Sequence, residues 1–408
     1  MMRGVAAFLV ALAATPAAAA TIDVAAEPGR LAAAIAQAAP GDVLKLAAGR
    51  HQGGVVIDKP LTLEGGPGAV VDGGGKGRTI QVSSPDVTVR GLEITGSGLD
   101  LETMDAGVFL DKTAERAVVE GNRVLDNLVG VYVWGAKDAR VEDNRIVGRT
   151  DLRVNERGNG ISLWNSPGAQ ILRNDISEGR DGIFVTTSRN NRFVGNRFAH
   201  VRFAVHYMYC NQSEVSDNVS TGNDVGFALM YSTGLTVADN VSTRDREHGV
   251  LLNYANQSTV VGNRVDGSKK CVFIYNANKN RIADNVFQGC AIGIHFTAGS
   301  ERNRMSGNAF IGNEVQVMYV GTRDVVWADE GRGNYWSDNP AFDLDGDGIA
   351  DTAYRPNDVV DRVVWAVPLA KLLLNSPAVQ VVRWSQSQFP ALMPGGVVDP
   401  YPLMRPPS

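Results

Sequence analysis

One asparagine recurs at a nearly constant interval through the middle of this sequence. It stands in short segments such as VEGNRV, VEDNRI, ILRNDI and FVGNRF. The nine positions are Asn122, Asn144, Asn174, Asn196, Asn218, Asn240, Asn263, Asn285 and Asn308. Most successive members differ by 22 in residue number, with two steps of 23 and one of 30. Repetition this regular indicates one structural unit copied along the chain.

The content of each repeat predicts the unit. Each repeat carries short Val/Ile-rich runs and a turn with Gly or Asn, which is typical of one coil of a parallel β-helix. The L-x-x-L-x-L pattern of a leucine-rich repeat is absent. We therefore predict an all-β fold, a right-handed parallel β-helix over residues 21–330. Stacked coils would place the asparagines in one hydrogen-bonded ladder, which gives them a structural role.

The most regular strand of each coil separates core positions from outward positions. Aligning VYVW, ISLW, IFVT, VHYM, FALM, VLLN, VFIY and IHFT leaves only apolar residues in the first and third columns. Side chains alternate between the two faces of a strand, so these columns face the core. The second and fourth columns face outward, and they contain the aromatic residues Trp134, Trp164 and Tyr275, which we expect to contact a partner.

The segment AVHYMYC, residues 204–210, contributes His206 and Met208 to the outward columns. Met230 occupies the position of Met208 in the next repeat and therefore lies one coil further along the stack. Thioether and imidazole groups are ligands for a soft ion, above all Cu(I). His206, Met208 and Met230 are therefore the candidate copper ligands. The alternative is that these side chains only pack or face solvent.

The N-terminus predicts export. Residues 1–20 contain Arg3, an apolar run and a small-residue ending, which is the layout of a signal peptide cleaved near Ala20. No later apolar stretch is long enough to span a membrane, and the net charge of −5, without a basic block, argues against nucleic acid as a partner. Residues 28–42 read as a short amphipathic helix that caps the first coil.

An exported chain with three cysteines leaves at least one of them free or paired with another molecule. Cys271 and Cys290 are 19 residues apart in the sequence and could be neighbours in the fold. A disulfide between them is open at this point.

Two insertions lengthen the coils on the same side of the asparagine turn. They cover residues 96–106 and 149–159. Because both follow the turn, they should project from one edge of the solenoid, where they either shape a binding face or have drifted neutrally.

An acidic segment follows the last coil, within residues 331–358. Asp343, Asp345, Asp347 and Asp351 are spaced like the oxygen ligands of a calcium loop, although Tyr354 stands where such a loop has its last glutamate. A structural Ca²⁺ site is one interpretation, and a plain acidic turn is the other.

Residues 359–408 follow as the last predicted unit. Leucines and Trp365 recur at helical spacing, and Ser376-Pro377 is a cap followed by a first-turn proline. We predict helices here that dock on a partner, with Trp365 and Trp384 at the contact.

Two resemblances accompany these patterns. The passages LTLEGGPGAVVDGGGKG and VTVRGLEITGSG resemble the carbohydrate-active, pectin-lyase-like β-helix proteins. The runs GNYWSD, DLDGDGIAD, YRPND, PLAKLLLNSPAVQ and VVDPYPLM are similar to the NosD family over essentially the whole mature chain.

The NosD resemblance implies a periplasmic accessory protein, not an enzyme. Its implied task is the maturation of nitrous oxide reductase, with assembly of the copper–sulfide centre. The implied partners are an ABC transporter, made of a permease and a cytoplasmic ATPase, and a copper chaperone. This chain has no phosphate-binding loop, so the ATPase would be another subunit.

A carbohydrate-active enzyme, either a uronate epimerase or a lyase, is the alternative function. Such chemistry needs an acid/base cluster beside the sugar. The outward columns of the central coils offer only His206 and His295, whereas the insertions offer carboxylates: Asp100, Glu102, Asp105, Asp151 and Glu156.

Overall fold

The computed structural model describes residues 19–407, apart from 298, 322, 375 and 390–394. Nearly all of the predicted signal peptide, residues 1–18, therefore lies outside the described residues. The rest is a β-solenoid with three long parallel sheets, which confirms the predicted all-β parallel β-helix.

Each coil contributes one strand to each sheet. Sheet 1 precedes the asparagine turn and has 13 strands: Thr21–Val24, Val43–Leu46, Thr62–Gly65, Thr88–Arg90, Val118–Glu120, Arg140–Glu142, Gln170–Leu172, Arg192–Val194, Glu214–Ser216, Thr236–Ala238, Thr259–Val261, Arg281–Ala283 and Arg304–Ser306. Sheet 2 follows the turn and also has 13: Gly49–Gln52, Ala69–Asp72, Glu93–Thr95, Arg123–Leu125, Arg145–Val147, Asp175–Ser177, Arg197–Ala199, Val219–Thr221, Val241–Thr243, Arg264–Asp266, Val286–Gln288, Ala309–Ile311 and Tyr335–Trp336.

Sheet 3 contains the strands that were aligned from the sequence. Its 12 strands are Val55–Ile57, Ile80–Val82, Ala106–Leu110, Val129–Trp134, Ile161–Trp164, Ile183–Arg189, Phe203–Asn211, Val225–Met230, His248–Asn253, Lys270–Tyr275, Ile292–Thr297 and Val315–Val320. The two apolar columns of this sheet are buried in one continuous core, at most 5% exposed from Val131 to Tyr319. The solenoid ends at Trp336, beyond the predicted boundary at 330, because Tyr335–Trp336 still pairs with Ala309–Ile311.

The asparagines form the predicted ladder. Each side-chain amide donates from Nδ2 to Oδ1 of the next asparagine at 2.8–3.0 Å, and most also donate to a main-chain carbonyl of the preceding coil. The residue before each asparagine is Gly, Asp or Arg with positive φ, such as Gly195 and Asp217. The ladder has a tenth member, Asn334, at a step of 26 that conceals it from a search at the repeat interval.

Helices occur at the two ends of the solenoid. The predicted cap is the helix Arg30–Gln37, which buries Leu31 and Ile35 against the first coils. Near the other end are Val359–Ala366, the 3₁₀ helix Pro368–Leu373 and Pro377–Gln388. A further 3₁₀ turn, Val154–Glu156, lies in the second insertion.

The C-terminal unit is helical over a shorter range than the predicted 359–408. After the helices the chain returns to the solenoid, where Val397–Val398 pairs with Val325–Val326. The buried carboxylate of Asp399 accepts hydrogen bonds from the main-chain N–H of Asn334 and the indole of Trp336. These bonds satisfy the last rung of the ladder, so residues 395–407 cover the end of the stack.

Two of the three cysteines are joined. Cys271 and Cys290 form a disulfide between neighbouring coils, and Cys210 is a free, buried thiol. Burial raises the pKa of Cys210 to about 12, so this thiol is protonated at neutral pH.

Substitution of one rung tests the ladder. Asn218→Ala leaves the carbonyl of Phe193 and the amide groups of Asn196 without their hydrogen-bond partner in the buried interior. Each buried group left unpaired costs about 1–3 kcal/mol. We expect the coils around residue 218 to unfold at a clearly lower urea concentration than in the wild type, as measured by hydrogen exchange at increasing urea concentrations.

Asp217→Asn is the matched control, because the neighbouring residue is exposed and asparagine tolerates its positive φ. Equal losses in the two variants would contradict a special role for the ladder.

Candidate metal centre and binding surfaces

The coil register brings the two candidate methionines together. Met208 and Met230 are direct partners on hydrogen-bonded neighbouring strands of sheet 3. Parallel strands lie about 4.8 Å apart, so the two thioethers leave the sheet side by side. Thr186 precedes them in this column and Asn253 follows them. Both methionine side chains are half-buried.

His206 lies on the same outward side but is not solvated as a free surface histidine would be. Its Nδ1 is 3.0 Å from Oδ2 of Asp181, and its ring makes edge contacts with Phe184 and Phe203. Only 9% of the residue is exposed. These neighbours enclose the imidazole because they come from the preceding coil and from the start of its own strand.

Asp181 is buried, and its carboxylate is hydrogen-bonded to two side chains. Arg202 donates to both of its oxygens at 2.8 and 2.7 Å, in addition to the contact with His206. Burial acts to raise the pKa of Asp181, but the hydrogen bonds from His206 and Arg202 outweigh it and hold the pKa below its usual range. A carboxylate held ionised against Nδ1 fixes the proton on that nitrogen and leaves Nε2 as a ligand atom.

Sequence reasoning missed a ladder of tyrosines beside the methionines. Tyr209, Tyr231 and Tyr254 directly follow the fourth outward column and stack with ring centroids 5.1 Å apart. All three have φ between 49° and 57°, a conformation that is rare for bulky residues. The available signal was their recurrence at the repeat interval, one column beyond the four that were aligned.

The predicted aromatic residues near the N-terminal end form a second cluster. Trp134 and Trp164 stack with centroids 5.6 Å apart, and Phe109 contacts Tyr132 and Trp134. The guanidinium of Arg78 lies 3.3 Å above the Phe109 ring. Tyr275 lies apart from this cluster and contacts the end of the tyrosine ladder at Tyr254.

The two insertions meet at this aromatic cluster, as their positions in the repeat predict. A cleft of about 630 Å³ runs between the stacked tryptophans and residues 102–104 of the first insertion. An adjoining smaller cleft is lined by Leu101 and Met104 from the first insertion and by residues 157–159 from the second. The insertions therefore shape one concave surface.

Most carboxylates of the two insertions accept hydrogen bonds from residues of their own insertion. Asp100 and Asp105 accept hydrogen bonds within residues 99–105, and Asp151 pairs with Arg149. Glu156 accepts from the main chain of Arg153. Glu102 and Asp111 line the larger cleft.

The acidic loop brings together three of the four predicted calcium ligands. Carboxylate oxygens of Asp343, Asp345 and Asp351 lie within 4.8 Å of one another. Hydrogen bonds from the main-chain N–H of Gly348 and then Gly346 hold the pKa of Asp343 below its usual range. Asp347 is outside the group, and its Oδ1 accepts instead from the N–H of Ile349.

The C-terminal helices present an apolar surface. Their base is attached to the solenoid by a 2.6 Å bond from Asn357 Nδ2 to the carbonyl of Val317, and Val360 and Val364 are buried. The most exposed apolar side chains are Leu369, Leu372, Leu373, Val381, Trp384 and Phe389, each 60–85% exposed. Trp365, also predicted to be a contact, is half-buried.

No helix within the described ranges is long and apolar enough to cross a membrane.

Comparison with known proteins identifies relatives that match nearly the whole chain. Residues 142–341 match the family described as "Periplasmic copper-binding protein (NosD)". The chain is 42% identical to a "Probable ABC transporter binding protein NosD" from Stutzerimonas stutzeri, over 89% of this chain and 87% of that protein. It is 44% identical to the protein of the same description from Pseudomonas aeruginosa, over 89% and 88%.

Solved structures share only the architecture. An alginate lyase, AlyF-OU02, superposes with a TM-score of 0.55 at 13% identity, over 79% of this chain and 87% of that one. The catalytic unit of an α-1,3-glucanase from Streptomyces thermodiastaticus superposes with a TM-score of 0.51 at 16% identity, over 78% and 72%. At this identity the likeness shows a common fold and nothing about activity.

The acidic loop gives a direct calcium test. We expect Asp343→Asn or Asp345→Asn to weaken Ca²⁺ binding, measured by titration calorimetry, by about tenfold or more, because each removes a charged oxygen ligand. Asp347→Asn is the control, since its carboxylate is outside the group and accepts a hydrogen bond from the N–H of Ile349. Equal affinities in all three variants would exclude this ligand set.

Proposed function

Because the chain belongs to the NosD family of periplasmic copper-binding proteins, we propose that it binds copper in the periplasm while docked on an ABC transporter. Its task is the maturation of nitrous oxide reductase, with assembly of the copper–sulfide centre, and a copper chaperone is the donor. The observation that carries the proposal is identity above 40% with NosD proteins over nearly the whole length.

The geometry of sheet 3 supports a soft-ion site in this role. Met208 and Met230 supply paired thioethers, and His206 supplies Nε2 from two residues earlier on the same face. Thioether and imidazole ligands favour Cu(I) over harder ions such as Ca²⁺ or Mg²⁺. Copper is here a cargo, so a site with three ligands on a surface that a partner can reach suits uptake and release.

The environment of His206 favours binding in a second way. Asp181 accepts the hydrogen bond from Nδ1 and fixes the orientation of the ring, so the imidazole does not have to reorient when the ion arrives. The phenyl rings of Phe184 and Phe203 exclude water from the edges of the imidazole. A drier site strengthens the ligand–ion interaction.

The apolar surface of the C-terminal helices supports docking on the permease. Among the described residues there, six large apolar side chains are at least 60% exposed, and such a concentration is typical of a protein contact. The helices are attached at the last strand of sheet 3, so docking would leave the long faces of the coils open. Trp134, Trp164 and Tyr275 would then serve the other partners, which are the copper chaperone and the reductase.

We propose a binding role without catalysis. The alternative is a uronate epimerase or lyase, and the cleft of about 630 Å³ with its tryptophans, Glu102 and Asp111 is the observation that favours it. Against it, the other insertion carboxylates are bonded within their own loops. Release of an unsaturated product from a uronate polymer would favour the enzyme.

Methionine substitutions test the copper ligands. We expect Met208→Leu and Met230→Leu each to lower Cu(I) affinity by on the order of tenfold or more, because leucine keeps the volume and removes the thioether. We expect Asp181→Asn to lower it by about 10–100-fold through loss of the imidazole's orientation. Anaerobic competition with a coloured Cu(I) chelator measures these affinities.

Met404→Leu is the matched control, because Met404 is also half-buried but lies in the segment that covers the C-terminal end of the stack. If all variants bind Cu(I) like the control, the ligand assignment is wrong, although the maturation role is not.

Polar substitution of the helices tests the docking surface. We expect Leu369→Glu combined with Leu372→Glu to abolish co-purification with the permease from detergent-solubilised membranes. Val56→Glu, at an exposed apolar position on the first coils, should not affect it. Retention of the permease by the leucine variant would place the docking surface elsewhere.

A further inference from the structure

A second imidazole–thioether pair lies further along the same outward column. The column runs from His206 through Ala228, Leu251 and Phe273 to His295, and then to Met318. His295 and Met318 are direct partners on neighbouring strands, as Met208 and Met230 are. Both side chains are half-buried.

The imidazole of His295 lacks a partner that its chemistry requires. Its Nδ1 is buried and has no hydrogen bond to any residue within the described ranges. A buried polar atom without a partner is destabilising and occurs mainly where a ligand, ion or water completes the site.

The surroundings determine which ion fits. Imidazole and thioether are soft or borderline ligands. The ammonium of Lys270 rests 4.4 Å from the centroid of Phe273, whose ring is 4.8 Å from that of His295. A positive charge this close repels a divalent ion twice as strongly as a monovalent one.

The position of His295 and Met318 along the solenoid indicates how this pair could act together with the first site. Four coil steps separate His206 from His295, about 19 Å at 4.8 Å per coil. Val317, next to Met318, accepts the hydrogen bond from Asn357 that attaches the C-terminal helices to the solenoid. The pair therefore lies between the first candidate site and the predicted docking surface.

We infer that His295 and Met318 form a second Cu(I) site, at the end of the solenoid that carries the docking helices. This inference rests on the proposed copper function and extends it. Copper would occupy two sites on the outward face of sheet 3, one among the central coils and one beside the end that is proposed to dock on the transporter.

Stoichiometry under anaerobic Cu(I) titration tests the second site. Wild-type protein should bind two equivalents, Met208→Leu/Met230→Leu one, and the further substitution Met318→Leu none. His248→Phe is the matched control. The Nδ1 of this histidine is also buried without a hydrogen bond within the described ranges, and its ring also contacts Phe273, but its strand partners are Val225 and Lys270. It should leave the stoichiometry at two.

Nuclear magnetic resonance of the histidine side chains reports ion binding directly and distinguishes loss of a ligand from misfolding of a variant. The chain has five histidines, so imidazole nitrogen resonances are few enough to assign. Addition of Ag(I), a monovalent stand-in for Cu(I), should shift Nδ1 or Nε2 of His295 by a large amount in wild type and not in Met318→Leu.

The outcomes separate the two proposals. An unchanged His295 resonance, or the same stoichiometry with and without Met318, overturns the second site whatever happens at Met208. Loss of one equivalent with Met318→Leu but none with Met208→Leu/Met230→Leu upholds the second site and refutes the first ligand set.

Discussion

The hydrogen-bonded asparagine ladder is the interaction on which the rest of this structure depends. Each amide closes the turn between sheets 1 and 2 and bonds the next coil, so it fixes both the shape of one coil and its register on its neighbour. The rungs are at most 1% exposed, where an unpaired amide is costly. A slip of one position would move every outward side chain of a strand into the core. Residues one repeat apart therefore become neighbours in space.

That constraint explains why distant residues can form one site. Met208 and Met230 meet because their coils are in register, and His295 and Met318 meet for the same reason. Both pairs project from hydrogen-bonded parallel strands, which hold their side chains next to each other before an ion binds. The outward face of sheet 3, which carries both proposed sites, runs towards the end where the helices Val359–Ala366 and Pro377–Gln388 present their apolar side chains. In the proposed function, copper binding and docking therefore use separate surfaces of one scaffold.

The sequence predicts what repeats and what local helix signals mark, and it fails where contacts join segments that neither pattern relates. The ladder, the buried columns and the Met208–Met230 register follow from the repeat and are confirmed, and the cap helix follows from its amphipathic pattern. Asp181 and Phe203 could not be predicted as the cover of His206, because they lie outside the aligned columns. Asn334 was missed because its step from Asn308 is longer than the repeat. The return of Val397–Val398 to the solenoid pairs two segments that are far apart in the sequence, and no local pattern encodes it.

The central claim is that coil register builds a soft-ion site from residues a coil apart. Anomalous diffraction from crystals of the protein loaded anaerobically with Cu(I) tests it most directly. The account predicts a copper peak between the sulfur atoms of Met208 and Met230, within bonding distance of His206 Nε2. Copper peaks located only away from the outward face of sheet 3 would contradict it.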